Sequence, residues 1–374
     1  MTRTRFLVPI LVGLLALTAC DDPSNVGIEL VEEGGGEPVV RVLTPSVIEQ
    51  EPINDITGAV PRVLAGQVND PMLGTITATG YLDFQRVDSV NASDITGVML
   101  RLVRDYVYGD TLAALTLTVR ELTEEWNALG ARADTTLPLG ASVTTFTFEP
   151  LDSLITVDLP ETWVRDNDTT LVSFYFGDVF HGFALEATAA EAVVGFDFNQ
   201  SFLRITTEQD TLDYPVSLTL SGVIRTGQPT IPEGRFLIQD GTGPTLSFNV
   251  DFDGLDDTPL NAAFVRFFAD TLTIQETPPN FVRPLIETLQ LVRITEEDAA
   301  FVMAEASLDD NGSYRFSDAT LREVLQQTFF GQDLYDHFAL RIPFTDNTIS
   351  VMLLFDATSD ETAPEVLLTL SPSS

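Results

Sequence analysis

Leu115-Thr116-Leu117-Thr118-Val119-Arg120 decides the fold class. Apolar residues stand at 115, 117 and 119, polar ones at 116, 118 and 120. Successive side chains of a β-strand point to opposite faces, so this is a half-buried strand. Thr145-Phe146-Thr147-Phe148 alternates in the same way. Working outward, 63–66, 76–84, 98–107, 171–176, 182–185, 193–198 and 216–224 are short runs rich in β-branched and aromatic residues. Gly, Pro, Asn and Asp separate them, as at Gly109-Asp110 and Asp166-Asn167-Asp168. Many short strands with turn signals between them predict an all-β chain built of jelly-roll-like β-sandwiches. Helical signals are few: Thr123-Glu124-Glu125-Trp126 reads as one capped turn and 158–165 as another.

Thr226-Gly227-Gln228-Pro229-Thr230-Ile231-Pro232 breaks strand pairing and reads as a linker between domains at 57–227 and 228–374. After it the pattern restarts. Arg62-Val63-Leu64 is echoed by Arg235-Phe236-Leu237, and 98–104 by 263–268. Val119-Arg120 is echoed by Val292-Arg293, Phe183-Ala184-Leu185 by Phe338-Ala339-Leu340, and 193–205 by 350–370. The order is kept, which predicts two tandem β-sandwich domains from a duplication, with a period too long for a solenoid. The second copy adds one short helix. Ser317 is placed to cap it, Thr320 and Glu323 have capping-box spacing, and Leu321, Val324 and Leu325 share a face.

The N-terminus reads as a leader. Arg3 and Arg5 precede an apolar run from Phe6 to Ala16, and Leu17-Thr18-Ala19-Cys20 follows, holding the only cysteine. Eleven helical residues span about 16 Å, roughly half a bilayer core, so the run is a signal-peptide core and not a permanent span. The small residues before Cys20 resemble a lipobox, with cleavage after 19 and lipidation of Cys20, and so predict a membrane-anchored envelope lipoprotein. Residues 20–56, with Gly34-Gly35-Gly36, read as a lipidated N-terminus and flexible tether. The short apolar runs at 39–50 are expected to add an edge strand or to wrap the first domain.

The charge balance is extreme: 19 Arg, no Lys, and 56 Asp plus Glu give a formal charge of −37. The leader carries two arginines and no acid, so its removal takes the charge to −39. Such a surface repels nucleic acid and anionic lipid. Without lysine there is no Schiff base and no Walker lysine, and His181 and His337 are the only imidazoles. G-x-S-x-G and H-E-x-x-H are absent. A carboxylate-pair hydrolase stays open, because the acids are many.

Asn25-Val26-Gly27-Ile28-Glu29-Leu30, Leu64-Ala65-Gly66, Asp70-Pro71-Met72-Leu73-Gly74 and Gly109-Asp110 together resemble an uncharacterised family of Bacteroidota-type cell-envelope lipoproteins. Members carry an I-G-x-x-L element near the anchor and a D-P-x-x-G turn. The stretch also resembles jelly-roll domains appended to secreted polysaccharide-active proteins. The resemblance covers about residues 20–225 and implies a β-sandwich at the outer membrane, without an assigned activity. Asp21 and Asp22 after the cysteine resemble either an inner-membrane retention signal or a surface-export signal, and the family resemblance favours the second.

Two constellations are candidate sites. Asp251, Asp253, Asp256 and Asp257 surround Gly254 and offer hard oxygen ligands for calcium, although the spacing is not that of an EF-hand; otherwise they make a solvated turn. Tyr106 and Tyr108 lie two apart, hence on one strand face, and with Trp126 or Trp163 form a stacking platform for sugar rings, or else finish the core. The functional expectation is a non-enzymatic binding module for glycan or an envelope partner. The alternatives are a polysaccharide hydrolase and a scaffold subunit of an outer-membrane complex.

Overall fold

The computed structural model describes residues 37–52, 56–87, 95–189, 191–241, 243–294, 300–331, 337–343, 349–359 and 361–371. Cys20, Asp21, Asp22 and the 25–30 element lie outside the described residues. The chain is all-β, with antiparallel ladders throughout. Two strands come first, β1 (Val39–Leu43) and β2 (Ser46–Pro52). The first sandwich holds β3 (Arg62–Asp70), β4 (Gly74–Phe84), β5 (Ile95–Asp110), β6 (Leu115–Leu122), β7 (Leu139–Phe148) and β8 (Leu154–Asp158). Three helical pieces follow, α1 (Glu161–Asp166), α2 (Asp168–Leu171) and α3 (Phe176–Val179). Then come β9 (Phe183–Ala187), β10 (Glu191–Asp197), β11 (Phe202–Thr207) and β12 (Thr211–Thr226). The second sandwich holds β13 (Arg235–Gln239), β14 (Pro244–Asn249), β15 (Leu260–Phe268), α4 (Thr271–Ile274), β16 (Phe281–Val282), β17 (Thr288–Ile294) and β18 (Ala300–Ser307). It ends with β19 (Ser313–Phe316), α5 (Ala319–Phe329), β20 (His337–Arg341), β21 (Val351–Phe355) and β22 (Glu365–Leu370).

The deciding strand, β6, behaves as its pattern requires. Leu115, Leu117 and Val119 are fully buried. On the other face Thr116 and Thr118 meet Thr147 and Thr145 of β7, hydroxyl to hydroxyl, at 2.9 and 3.2 Å. Two strands of 16 residues close the first sandwich. β5 gives 95–101 to β11 and 104–109 to β10. β12 gives 211–215 to β11 and 216–226 to β4. Strands that leave one layer for the other make the corners of such a sandwich.

The layer containing β3, β10 and the end of β5 is covered on both faces. Val63, Ala65, Val107, Val194 and Phe196 pack into the core of the first sandwich. Their neighbours Leu64, Val68, Tyr106, Tyr108 and Val193 pack into a second core shared with Leu237, Phe248, Leu291, Leu340 and Leu353 of the other sandwich. The period of two therefore sends alternate residues into different cores. The expected linker is pinned to this junction, with Thr230 N–H donating to Met72 O at 2.7 Å and Ile231 packed on the shared core.

The ladders repeat. β3–β10, β5–β11, β5–β8, β6–β7, β6–β9 and β4–β9 have counterparts in β13–β21, β15–β22, β15–β19, β17–β18, β17–β20 and β14–β20. A helical segment joins β8 to β9 and β19 to β20. The short sequence echoes thus fall on equivalent strands. The edge strand expected at 39–50 is present as β1 and β2, each at the end of its sheet, so the tether does not run to residue 56; the alternative, that this segment wraps the first sandwich, is corrected. β1 pairs with β22 and β2 with β14, both of the second sandwich.

The helix α5 buries Leu321, Val324 and Leu325 as expected, but its cap is Asp318, whose carboxylate accepts from Thr320 N–H at 2.8 Å. Residues 123–126 form no helical turn. Residues 171–176 are not a strand: they link α2 to α3, with Phe176 buried and Phe174 exposed.

Candidate functional site

Tyr106 and Tyr108 do share a face, but it is the face shut between the sandwiches. Tyr108 is fully buried, edge-on to Phe281, and donates its hydroxyl to Asp70 Oδ2 at 2.6 Å. Tyr106 is 9% exposed, and its hydroxyl accepts from Ile349 N–H at 3.3 Å. Tyr108 is closed off and Tyr106 only borders a pocket of about 460 Å³ with Asp240, Pro284 and Ser350, so the pair presents no open stacking face and the platform is corrected to a structural role. Trp163 lies in the first core and Trp126 donates its indole N–H to His181 O. His337 sits in the other sandwich, its Nδ1 3.2 Å from Asn249 Oδ1.

The carboxylates of Asp251, Asp253, Asp256 and Asp257 do not form a cage. Asp251 Oδ1 accepts the Asp253 N–H at 2.9 Å, and Asp257 has φ +55° with its N–H bonded to Phe329 O. Asp251, Asp253 and Asp256 line a shallow pocket of about 300 Å³ with Ser46 and Asn249. Among the described residues, no three His, Cys, Asp or Glu side chains gather as they would around an ion. The calcium expectation is corrected accordingly: the carboxylates do not converge, and Asp251 turns its Oδ1 to the loop's own backbone.

The Asp70-Pro71-Met72-Leu73-Gly74 turn has a second role. Its carboxylate accepts the Met72 and Leu73 N–H groups at 2.7 and 2.9 Å, and Gly74 leaves the turn at φ +85°. The same carboxylate takes a two-pronged bond from Arg283, Nε to Oδ2 at 2.8 Å and Nη2 to Oδ1 at 2.9 Å. Arg283 Nη1 donates to Ile274 O. The two charged side chains are at most 1% exposed. Arg283 follows β16, in an excursion between β15 and β17 that carries α4 and lays β16 against the end of β5. Burial pushes the Asp70 carboxyl up, but the Arg283 fork and the Tyr108 hydroxyl outweigh it and hold it below the ordinary carboxylate range. Burial, followed by the Asp70 charge, raises Tyr108. The arrangement is a lock between sandwiches, closed to solvent.

An open concavity lies elsewhere. A cleft of about 650 Å³ forms where the start of β5 runs past the end of β8 and meets α1. Its floor includes Gly97, Met99, Leu159 and Val164, and its rim Asp158, Glu161, Arg165, Asp168 and Thr206. Leu159 N–H donates to Val98 O, which ends the β8 pairing and leaves 95–97 extending beyond it. A side chain built at Gly97 would meet nothing within 4 Å. Arg165 pairs only loosely with Asp166, at 3.9 Å, and both are largely exposed. At the equivalent place in the second sandwich, Gln326 of α5 bonds Leu260 N–H at 2.5 Å and Thr258 O at 3.1 Å, drawing helix and strand together.

The excursion after β8 that carries Glu161 and Asp168 also exposes two aromatic rings. Phe174 is 86% and Tyr175 64% exposed, with centroids 5.3 Å apart and planes at 87°. The strand reading of 171–176 hid them. The available signal was Phe174-Tyr175-Phe176 itself, because three adjacent aromatics cannot all face one core in a strand.

No family model matches the chain, and a search of the curated proteins finds no significant match. Among solved structures, one from Parabacteroides distasonis ATCC 8503, described as a "putative secreted protein", covers 88% of this chain and 99% of its own at 10% identity, with a TM-score of 0.26. Likeness at that level carries no argument about fold or function. Among the described residues, no helix is long and apolar enough to cross a membrane.

Proposed function

We propose that this is an envelope lipoprotein, anchored through Cys20, that binds glycan at the cleft of the first sandwich without transforming it. The cleft carries the reading: it has the size of a small-ligand site, an apolar floor and convergent polar groups. Carboxylates at Asp158, Glu161 and Asp168 accept sugar hydroxyls, and the planar Arg165 fork donates to ring and hydroxyl oxygens. Phe174 and Tyr175, exposed on the same excursion but outside the cleft lining, offer a second surface on which a pyranose face stacks. The leader motif and the envelope-family resemblance support the location.

The test is a glycan array with the soluble Cys20→Ser chain, repeated with Gly97→Trp. Gly97 has open space above it and no left-handed backbone, so the indole fills the cleft without displacing the core. Binding that the tryptophan abolishes supports the site. Binding that survives it moves the ligand elsewhere, and no binding to any glycan removes the reading.

Three carboxylates sharing one cleft favour hydrolysis as the second reading. Sugar release from an array-positive polysaccharide, lost in Glu161→Gln or Asp158→Asn while binding persists, would select it. The scaffold alternative rests on no comparable feature.

A further inference from the structure

We infer that the second sandwich is a strand acceptor, and that residues 39–52 are a donor segment it takes from its own chain or from a second copy. This goes beyond the ligand reading and does not depend on it.

The repeat shows the acceptor. In the first sandwich β12 pairs first with β11 and then with β4. The counterparts of β11 and β4 are β22 and β14, and they pair first with β1 and then with β2. The place that β12 fills from the C-terminal side of its own repeat is thus filled, in the second repeat, by a segment that precedes both. Without 39–52 the second sandwich lacks its last strand, and the edges of β22 and β14 lie open.

The donor is held differently from β12. Tyr214, Val216, Leu220 and Val223 fix β12 in place, each no more than 4% exposed. In β1, Val39, Val40 and Val42 are all exposed; among the described side chains of 39–52, Pro45 is buried and Leu43 and Ile48 pack in part on the core. The segment is held by its ladders and by a few polar bonds, Gln50 Nε2 to Leu237 O at 2.6 Å and Ser247 Oγ to Glu51 Oε1 at 2.6 Å. A ladder with little side-chain burial belongs to the low-stability end of a structure and opens locally.

Its base is firm. Thr57 and Gly58 N–H groups bond Ala131 O, Ala59 N–H bonds Thr219 O, and Thr57 Oγ1 donates to Ser221 O at 2.7 Å. Only three residues separate Pro52 from Ile56. A short connection between a fixed base and a loosely held strand is the arrangement that favours exchange between copies. Reciprocal exchange closes into a two-fold dimer with every ladder of the monomer kept.

The test uses the full mature chain with Cys20→Ser, which has no other cysteine. Val40 and Thr369 stand opposite each other in the β1–β22 ladder. One chain carries V40C, a second carries T369C, and a third carries both. The mixed single variants, incubated in urea up to just below their unfolding transition and then oxidised, should give a covalent dimer joined between positions 40 and 369, located by peptide mass. The doubly substituted chain should close within itself and, mixed with either single variant, give at least tenfold less of that dimer. If the double variant closes and the mixed single variants stay monomeric, the donor does not exchange and the inference is wrong. If the double variant cannot close, the ladder itself is misassigned and the inference falls with it.

Discussion

Replacing Asp70 by alanine leaves the Arg283 guanidinium buried between two sandwiches without a counter-ion. It also strands the Tyr108 hydroxyl and the Met72 and Leu73 N–H groups, all of which now point at that carboxylate. Breaking one side of a buried ion pair costs about 3–5 kcal/mol, and with three further donors left unpaired the cost should lie at the upper end. Arg283→Met should cost less, about 3 kcal/mol, because Asp70 keeps three donors and can take up a proton. The double variant should cost little more than Asp70→Ala alone, giving a coupling of at least about 2 kcal/mol. Urea unfolding of the three variants, with linear extrapolation, measures this cycle. The pH dependence supplies an independent arm. In the native protein Asp70 titrates below its ordinary value, so it stabilises above that value and the contribution is lost as pH falls through the folded pKa. In Arg283→Met burial dominates and the folded pKa rises, so stability should increase as pH falls through it. Two single variants that each cost under about 1 kcal/mol, or that add without coupling, would refute the lock.

Two further outcomes follow. Asp83 is nearly buried, and burial pushes its carboxyl up to about 6, so the ionised form opposes folding above that pH and the penalty fades as pH drops toward 4. Asp83→Asn should therefore stabilise by about 2–3 kcal/mol at pH 7.5 and by almost nothing at pH 4, read as the difference in Tm between the two conditions. Millimolar Ca²⁺ should leave the Tm of the intact chain unchanged, because the 251–257 aspartates do not converge; a rise of several degrees, lost in Asp253→Asn, would contradict their geometry.

Much of the architecture is legible in local pattern. Alternation at 115–119 is a local property of strands, and the turn chemistry at Asp70 and the amphipathic face of α5 are equally local. The echoes between the halves were legible because equivalent positions keep similar residues. What could not be read is pairing over distance. Nothing in 39–52 says that its partners are β22 and β14, and nothing in the D-P-x-x-G turn says that Arg283 lies 213 residues away. Tyr106 and Tyr108 show the same limit: a period of two groups them on one face but does not say what covers it. The 171–176 run failed differently, because aromatic and β-branched residues favour strands on average, and here packing of Leu171 and Phe176 into the first core overrides that preference. The cleft was invisible for a related reason, since β5, β8 and α1 meet only in three dimensions.

The doubly covered layer has a consequence for how the molecule holds its register. In an ordinary sandwich, a one-residue slip of a strand turns one apolar row toward water. A slip of β3 here would trade the contents of two interiors at once, setting the larger Leu64 where the small Ala65 now packs and Ala65 where Leu64 packs. Neither side could absorb the exchange. The two halves, though joined by a segment that looks like a hinge, are therefore bound to one common alignment and must gain or lose their order together.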